Sequence, residues 1–333
     1  MKEIRSDQAK LAKLQQQLTV QLPTPEQALP VNWGEQDNIQ IFMKRDDAMH
    51  NIISGNKWRK LQYTLLTARQ NNIRHIMSFG GGHSNHLHAL AYCCQQLNIS
   101  LSAFVRGDYS QHLTPTLRDL AQWGTRIHYV TKADYKKRYS EQYIAALQQS
   151  HSMPGNTLVI PEGGSSHHAL AGVASLLDEL QHSYDFICCP VGSGSTLAGL
   201  AWGLANATSE SCETGENDET DEIEERKPTL LGLAMLKGKG HLEELVQNLL
   251  PPTIPIPTII HQFHGGGFAK KPDWLVDFCA AFIEETGVEI EPVYSGKLCF
   301  GVKSLIEAGY FPPNSRILIL HTGGLQGNRH GNL

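Results

Sequence analysis

Short apolar runs alternate with stretches in which apolar residues return every three or four positions, and the rhythm runs almost the length of the chain. The apolar runs predict strands at 39–44, 74–79, 101–105, 126–130, 157–160, 185–189, 229–235, 258–264 and 316–321. The helical spacing predicts helices at 58–70, 85–96, 116–123, 168–181, 196–204 and 272–285. In the first of these, Trp58, Leu61, Leu65 and Ala68 share one face and are expected to meet a core. Strands that alternate with helices in this way form parallel sheets covered by helices on both faces. There are more strands than one sheet usually takes, so two sheets in two domains are expected.

One segment breaks the rhythm. Residues 206–228 are rich in Ser, Thr and Gly, carry nine acidic residues between Glu210 and Glu225, and have almost no apolar content. Such a stretch cannot bury enough surface to order itself and is expected to be a disordered, solvated insertion. It also explains the charge: without those nine residues the formal −5 becomes −5 + 9 = +4. The remaining basic residues are scattered and the pI is near 6.3, which argues against a nucleic-acid surface. No apolar stretch is long enough for a membrane span, and the first 18 residues lack the apolar core of a signal peptide. The seven cysteines include the adjacent pairs Cys93-Cys94 and Cys188-Cys189 but no C-x-x-C. Neither a disulfide framework nor a metal pair is expected, and the cytoplasm is the expected compartment.

Candidate chemistry starts at Ser54-Gly55-Asn56-Lys57, where a tight turn delivers a lysine to the first turn of a helix. The positive end of the helix dipole favours the neutral amine there, the form that attacks an aldehyde. A solvated surface lysine is the plain alternative. A second candidate is Gly80-Gly81-Gly82-His83-Ser84-Asn85-His86, where three glycines end a strand and Ser84-Asn85 open a helix. Its backbone N–H groups can converge on an anion, Asn85 can donate to a phenolic oxygen, and Ser84 can cap the helix or meet substrate. His83, His86 and His88 lack carboxylate or thiolate partners at ligand spacing, so no metal is expected.

A third candidate is the turn Val191-Gly192-Ser193-Gly194-Ser195-Thr196 between a strand and a helix, a phosphate cup of N–H groups and hydroxyls without a positive charge. It has no G-K-[ST], and Leu197 stands where a dinucleotide fingerprint needs its last glycine. A monophosphate therefore fits better than a pyrophosphate. Near the C-terminus, Tyr294-Ser295 and His321-Thr322-Gly323-Gly324 are further candidates to line a site.

Taken together, KRDD at 44–47, SGNKWRK at 54–60, GGGHSNH at 80–86, PEGGSSHHALAG at 161–172, VGSGSTLAGL at 191–200, PVYSGK at 292–297 and HTGG at 321–324 resemble one family. It is the D-cysteine desulfhydrase and 1-aminocyclopropane-1-carboxylate (ACC) deaminase family, whose members depend on pyridoxal 5′-phosphate (PLP). The resemblance implies a two-domain α/β fold of the tryptophan-synthase-β type (fold type II), with parallel sheets flanked by helices. It implies a smaller domain at 50–160 and a larger, PLP-binding one from 1–49 and 161–333. It implies that Lys57 holds PLP as a Schiff base, that Gly192, Ser193, Gly194, Ser195 and Thr196 hold its phosphate, and that Asn85 meets its 3′-oxygen. Ser295 would face the pyridine nitrogen, with Thr322 also at the cofactor; Ser84 would meet the substrate carboxylate and Tyr294 the reacting carbons. A homodimer and a small amino-acid substrate are expected.

Two activities compete within the family. Members like ACC deaminases carry a glutamate after the tyrosine, whereas Ser295 matches the desulfhydrase-like members. A hydroxyl leaves the ring nitrogen largely neutral, enough for loss of a β-thiol and less suited to opening an unactivated ring. D-cysteine desulfhydrase, giving pyruvate, hydrogen sulfide and ammonia, is therefore the expected activity. ACC deamination, another PLP-dependent lyase or racemase reaction, and PLP binding without turnover are the alternatives. Two departures touch the pocket: Phe268 replaces a tyrosine common in the family, and His83 replaces a glutamine.

Overall fold

The computed structural model describes residues 2–207 and 227–330, so most of the acidic stretch expected as a disordered insertion lies outside the described residues. The chain opens with α1 (Lys2–Gln17), β1 (Glu26–Ala28), β2 (Gln40–Lys44), α2 (Asn56–Gln70) and β3 (His75–Gly81). There follow α3 (Asn85–Gln96), β4 (Ser100–Arg106), α4 (Pro115–Gln122), β5 (Arg126–Val130), α5 (Lys132–Tyr135), α6 (Glu141–Ser150) and β6 (Leu158–Ile160). The rest comprises α7 (His167–Ala174), β7 (Phe186–Val191), α8 (Ser195–Asn206), β8 (Thr229–Ala234), α9 (His241–Gln247), β9 (Thr258–Ile260), α10 (Asp273–Thr286), α11 (Ser295–Glu307) and β10 (Arg316–Leu320). This is the expected α/β fold of parallel sheets flanked by helices, and all nine predicted strands are present as β2–β10.

Two compact units emerge, the first formed by 1–22, 48–169 and 324–333, the second by 23–47 and 170–323. The first holds a parallel sheet of order β5-β4-β3-β6. Alternate residues of β3 serve opposite faces: Ile76 joins a core with Leu61, Leu65, Leu87 and Leu90, while Met77 and Phe79 pack with Phe104 and Tyr135. Trp58, Leu61, Leu65 and Ala68 are fully buried, as their spacing predicts. The expected 50–160 domain lies within this unit. The N-terminal residues join it because Leu11, Leu14 and Leu18 enter the core that α2 and α3 build.

The second unit holds a sheet of order β1-β2-β10-β7-β8-β9, parallel except for β1. Ile317 and Ile319 of β10 face one apolar cluster and Leu318 and Leu320 the other, which is how a parallel sheet buried on both faces reads in sequence. Cys188 and Cys189 fall into opposite clusters by the same alternation, so their thiols point apart. Among the described residues the cysteines are buried and none forms a disulfide, and no helix is long and apolar enough to cross a membrane.

The KRDD run fixes the edge of this sheet. Fully buried Lys44 donates to the Thr24 carbonyl (2.7 Å) and pairs with Glu179 (3.2 Å), and Arg45 makes two bonds to Asp47. This pairing draws the chain out of helical geometry: the predicted helix at 168–181 stops at Ala174, and 177–179 form a short 3-10 turn that delivers Glu179 to Lys44. Lys44→Met should take the cation from the Glu179 carboxylate, which keeps the Thr24 N–H at 3.2 Å, and cost about 3 kcal/mol. Urea unfolding should show a lower midpoint; an unchanged one would mean that the pair contributes nothing.

Candidate active site

In the first unit, Gly55 takes a φ of 67° that a larger residue adopts only under strain, and so turns the chain into α2. Lys57 is then the second residue of the helix, and its Nζ donates to Asn56 Oδ1 at 2.6 Å. Loss of hydration lowers its pKa to about 8. Burial thus favours the neutral amine, the same form that its place in the first turn of α2 favours. Uptake of PLP by the cofactor-free protein needs that amine. Its rate should rise about tenfold per pH unit below pH 8 and level off above, followed by visible absorbance. A flat profile would mean that Lys57 is not the group that titrates.

Two of the three glycines at the end of β3 have a steric reason. A Cβ on Gly80 would stand 2.6 Å from Leu87 and one on Gly82 2.5 Å from the Tyr109 ring, whereas at Gly81 the nearest atom is 3.9 Å away, on Arg106. Ser84 caps α3, its Oγ accepting the Leu87 N–H at 3.2 Å. Asn85 Oδ1 accepts a hydrogen bond from Gln326, which leaves the Asn85 NH2 as the end that donates to an incoming oxygen.

His86 is buried, and the positive charges of Lys57 and Lys60 add to burial in holding its pKa down to about 3. Lys57 and the start of α3 are therefore electrostatic neighbours. Ser78 gives its hydroxyl proton to the Ile160 carbonyl (2.7 Å), so the contact to His86 Nε2 (2.8 Å) has the imidazole donating. His86 Nδ1 is then a buried acceptor without a partner among the described residues. His88 is engaged elsewhere, with Asp119 at 2.8 Å.

In the second unit, β7 and β10 are neighbouring parallel strands, so the turn after Val191 and the segment after Leu320 leave the sheet at the same edge. That is where ligands sit in open α/β sheets. Gly194 turns the chain at φ 79° into α8, whose first residues Ser195 and Thr196 are buried; Ser193 and Ser195 lie 3.3 Å apart through their Oγ atoms. A helix N-terminus behind two glycines and three hydroxyls is an anion cup, and the turn's own residues, Val191 to Thr196, carry no charged side chain. Thr322 is buried at the same edge. Tyr294 lies directly on the turn: a Cβ on Gly192 would be 3.3 Å from its ring. Phe268 stands edge-on to Tyr294 with ring centres 6.1 Å apart and is 51% exposed. Lys297 holds the segment that carries Phe268, donating to the Gly267 carbonyl at 2.8 Å.

The sequence reading missed Glu291. Its buried carboxylate accepts the backbone N–H groups of Val293 (2.7 Å), Tyr294 (2.7 Å) and Ser295 (2.9 Å), and so anchors the start of α11. Ser295 Oγ in turn accepts the Glu291 N–H at 2.8 Å. Burial pushes the Glu291 pKa up to about 7, against the three donors that pull it down. An acidic residue just ahead of a helix start was the available signal. Gln326 was missed as well.

A buried amine of lowered pKa and an uncharged cup for a dianion are what PLP requires, and the residues present fit it. Comparison with known proteins agrees. The chain belongs to the pyridoxal-phosphate dependent enzyme family, which matches residues 19–323. It is similar to a putative 1-aminocyclopropane-1-carboxylate deaminase of Pyrococcus horikoshii, at 26% identity over 97% of this chain and 95% of that one. It is similar to the bifunctional D-cysteine desulfhydrase/1-aminocyclopropane-1-carboxylate deaminase, mitochondrial, of Arabidopsis thaliana, at 27% identity over 92% of this chain and 77% of that one. Among solved structures, an ACC deaminase homologue shares the fold with a TM-score of 0.74 at 24% identity, covering 96% of each chain.

Proposed function

We propose that the protein is a PLP-dependent lyase acting on a small amino acid, and that D-cysteine is its substrate, converted with water to pyruvate, hydrogen sulfide and ammonia. The observation that carries this choice is the residue after Tyr294. It is a serine whose Oγ is tied to the Glu291 backbone, so no carboxylate stands at that position. A neutral hydroxyl leaves the cofactor a weaker electron sink, sufficient for expelling a thiol. ACC deamination is the second reading, favoured by the names of the relatives from Pyrococcus and Arabidopsis.

PLP, when bound, supplies the electron sink that makes an amino acid's α-proton acidic. Lys57 Nζ would hold its aldehyde, the 192–196 turn its phosphate, Asn85 its 3′-oxygen and Ser295 its ring nitrogen, with Thr322 lining the same edge. The Lys57 amine or the Tyr294 phenol takes the α-proton, and the lowered pKa of Lys57 keeps a useful share of that amine neutral near pH 7 to 8. The Ser84 hydroxyl, while capping α3, would bind the substrate carboxylate. Phe268 offers the substrate an apolar edge beside Tyr294, where a thiol or thioether is tolerated better than a second phenol would tolerate it. A homodimer belongs to this reading, and light scattering tests it.

The deciding assay is keto-acid release by the PLP-loaded protein with D-cysteine, L-cysteine and ACC in parallel. Pyruvate from D-cysteine alone supports the proposal. A keto acid from ACC would overturn the argument from Ser295, and no keto acid from any of the three would move the substrate elsewhere.

A further inference from the structure

The first unit has a concavity of about 680 Å³ whose lining includes Arg106, Lys132, Lys136 and Arg138. It lies outside the carboxyl ends of parallel strands: Arg106 is the last residue of β4, Lys132 follows β5 and Glu162 follows β6. Two carboxylates also line it, and both are committed. Glu162 accepts from the Tyr135 hydroxyl (2.7 Å) and from Arg138 Nε (2.6 Å), and Asp108 accepts the Ser110 N–H (2.8 Å). Among the described residues no carboxylate pairs with Arg106, Lys132 or Lys136.

The arrangement is held in place. The buried Tyr135 ring carries the Arg138 guanidinium 4.8 Å from its centre and the Arg106 guanidinium 5.6 Å from it. Arg138 is already met by Glu162, whereas Arg106 shares the Tyr135 ring without a carboxylate partner among the described residues, which leaves its charge for an incoming anion. A solvated basic face would spread its charges over a convex surface. Here they converge on one hollow, and guanidinium groups add a planar fork that suits phosphate or carboxylate oxygens.

We propose that this cavity binds a small polyanion, a molecule carrying two or more negative charges as phosphate or carboxylate groups. Its wall is shared with the glycine turn that carries Ser84 and Asn85, because the Tyr109 ring lines the cavity and packs on Gly82. The anion is therefore a separate small molecule that would bind beside that turn.

Pyrophosphate is the probe, titrated calorimetrically into the PLP-loaded full chain at constant ionic strength. Saturable binding is expected at a Kd of roughly 1 mM or tighter. The double variant Arg106→Gln/Lys136→Gln should weaken it at least about tenfold. Lys137→Gln, which removes a neighbouring cation paired with Asp134 at 3.0 Å and outside the cavity, should leave it unchanged. No saturable binding, or equal weakening by Lys137→Gln, would overturn the proposal, since the cations would then act only as diffuse surface charge. The calorimetric result stands whether or not the proposed reaction does.

Discussion

Lys57→Ala should abolish both the visible absorbance of the PLP-loaded protein and its turnover. The amine serves twice in the proposed reaction, as the group that holds the aldehyde and as a candidate base for the α-proton. Loss of a positioned base alone costs about 10²–10⁴-fold, and loss of the covalent anchor adds to it. Lys57→Arg should fail equally, because a guanidinium stays protonated and cannot condense with an aldehyde. Neither change should unfold the protein. The Lys57 side chain donates a hydrogen bond to the adjacent Asn56, and Trp58 and Leu61 anchor α2 independently. Folding is checked by circular dichroism and cofactor retention by absorbance after gel filtration. A Lys57→Ala protein that keeps both its colour and its activity would sink the assignment.

Much of this site was legible because its signals are local. Gly55 ahead of Lys57, the glycines of 80–82 and the Gly-Ser-Gly-Ser-Thr turn each announce a backbone conformation within a few residues of the group it delivers. The strands were legible for a similar reason: sheets buried on both faces leave continuous apolar runs such as Ile317-Leu318-Ile319-Leu320. The failures depend on distant partners. β1 is three residues, Glu-Gln-Ala, identifiable only by its antiparallel pairing with β2. α1 is mostly polar, and its apolar positions are recognisable as a face once Leu14 and Leu18 are seen in a core built by α2 and α3. The break after α7 is set by Lys44, more than a hundred residues earlier in the chain. Gln326 reaches Asn85 across 241 positions, a pairing that no local pattern encodes.

Glu291→Ala should be the most damaging single change to the second unit. Three backbone N–H groups at the start of α11 lose their acceptor at once. Each such unmet donor costs about 1–3 kcal/mol, so an overall loss on the order of 3–9 kcal/mol is expected. Glu291→Gln separates stability from chemistry, since it keeps an acceptor oxygen and removes the titration. The folded-state pKa of about 7 lies above the ordinary glutamate value of 4.5, so between these values the folded protein binds the proton that the unfolded chain releases. The contribution is then fully present below about pH 4.5 and falls away as pH rises through 7. Wild type should therefore lose stability relative to Glu291→Gln between pH 5 and pH 8, by about 1–3 kcal/mol. The same glutamate fixes the backbone of Tyr294 and Ser295, and a shift of about 1 Å there is enough to cost about 10²-fold in rate. Glu291→Gln should thus lower kcat well before it lowers the amount of folded protein. Equal melting curves for Glu291→Ala and wild type at pH 5 would show that the α11 start is held by other contacts.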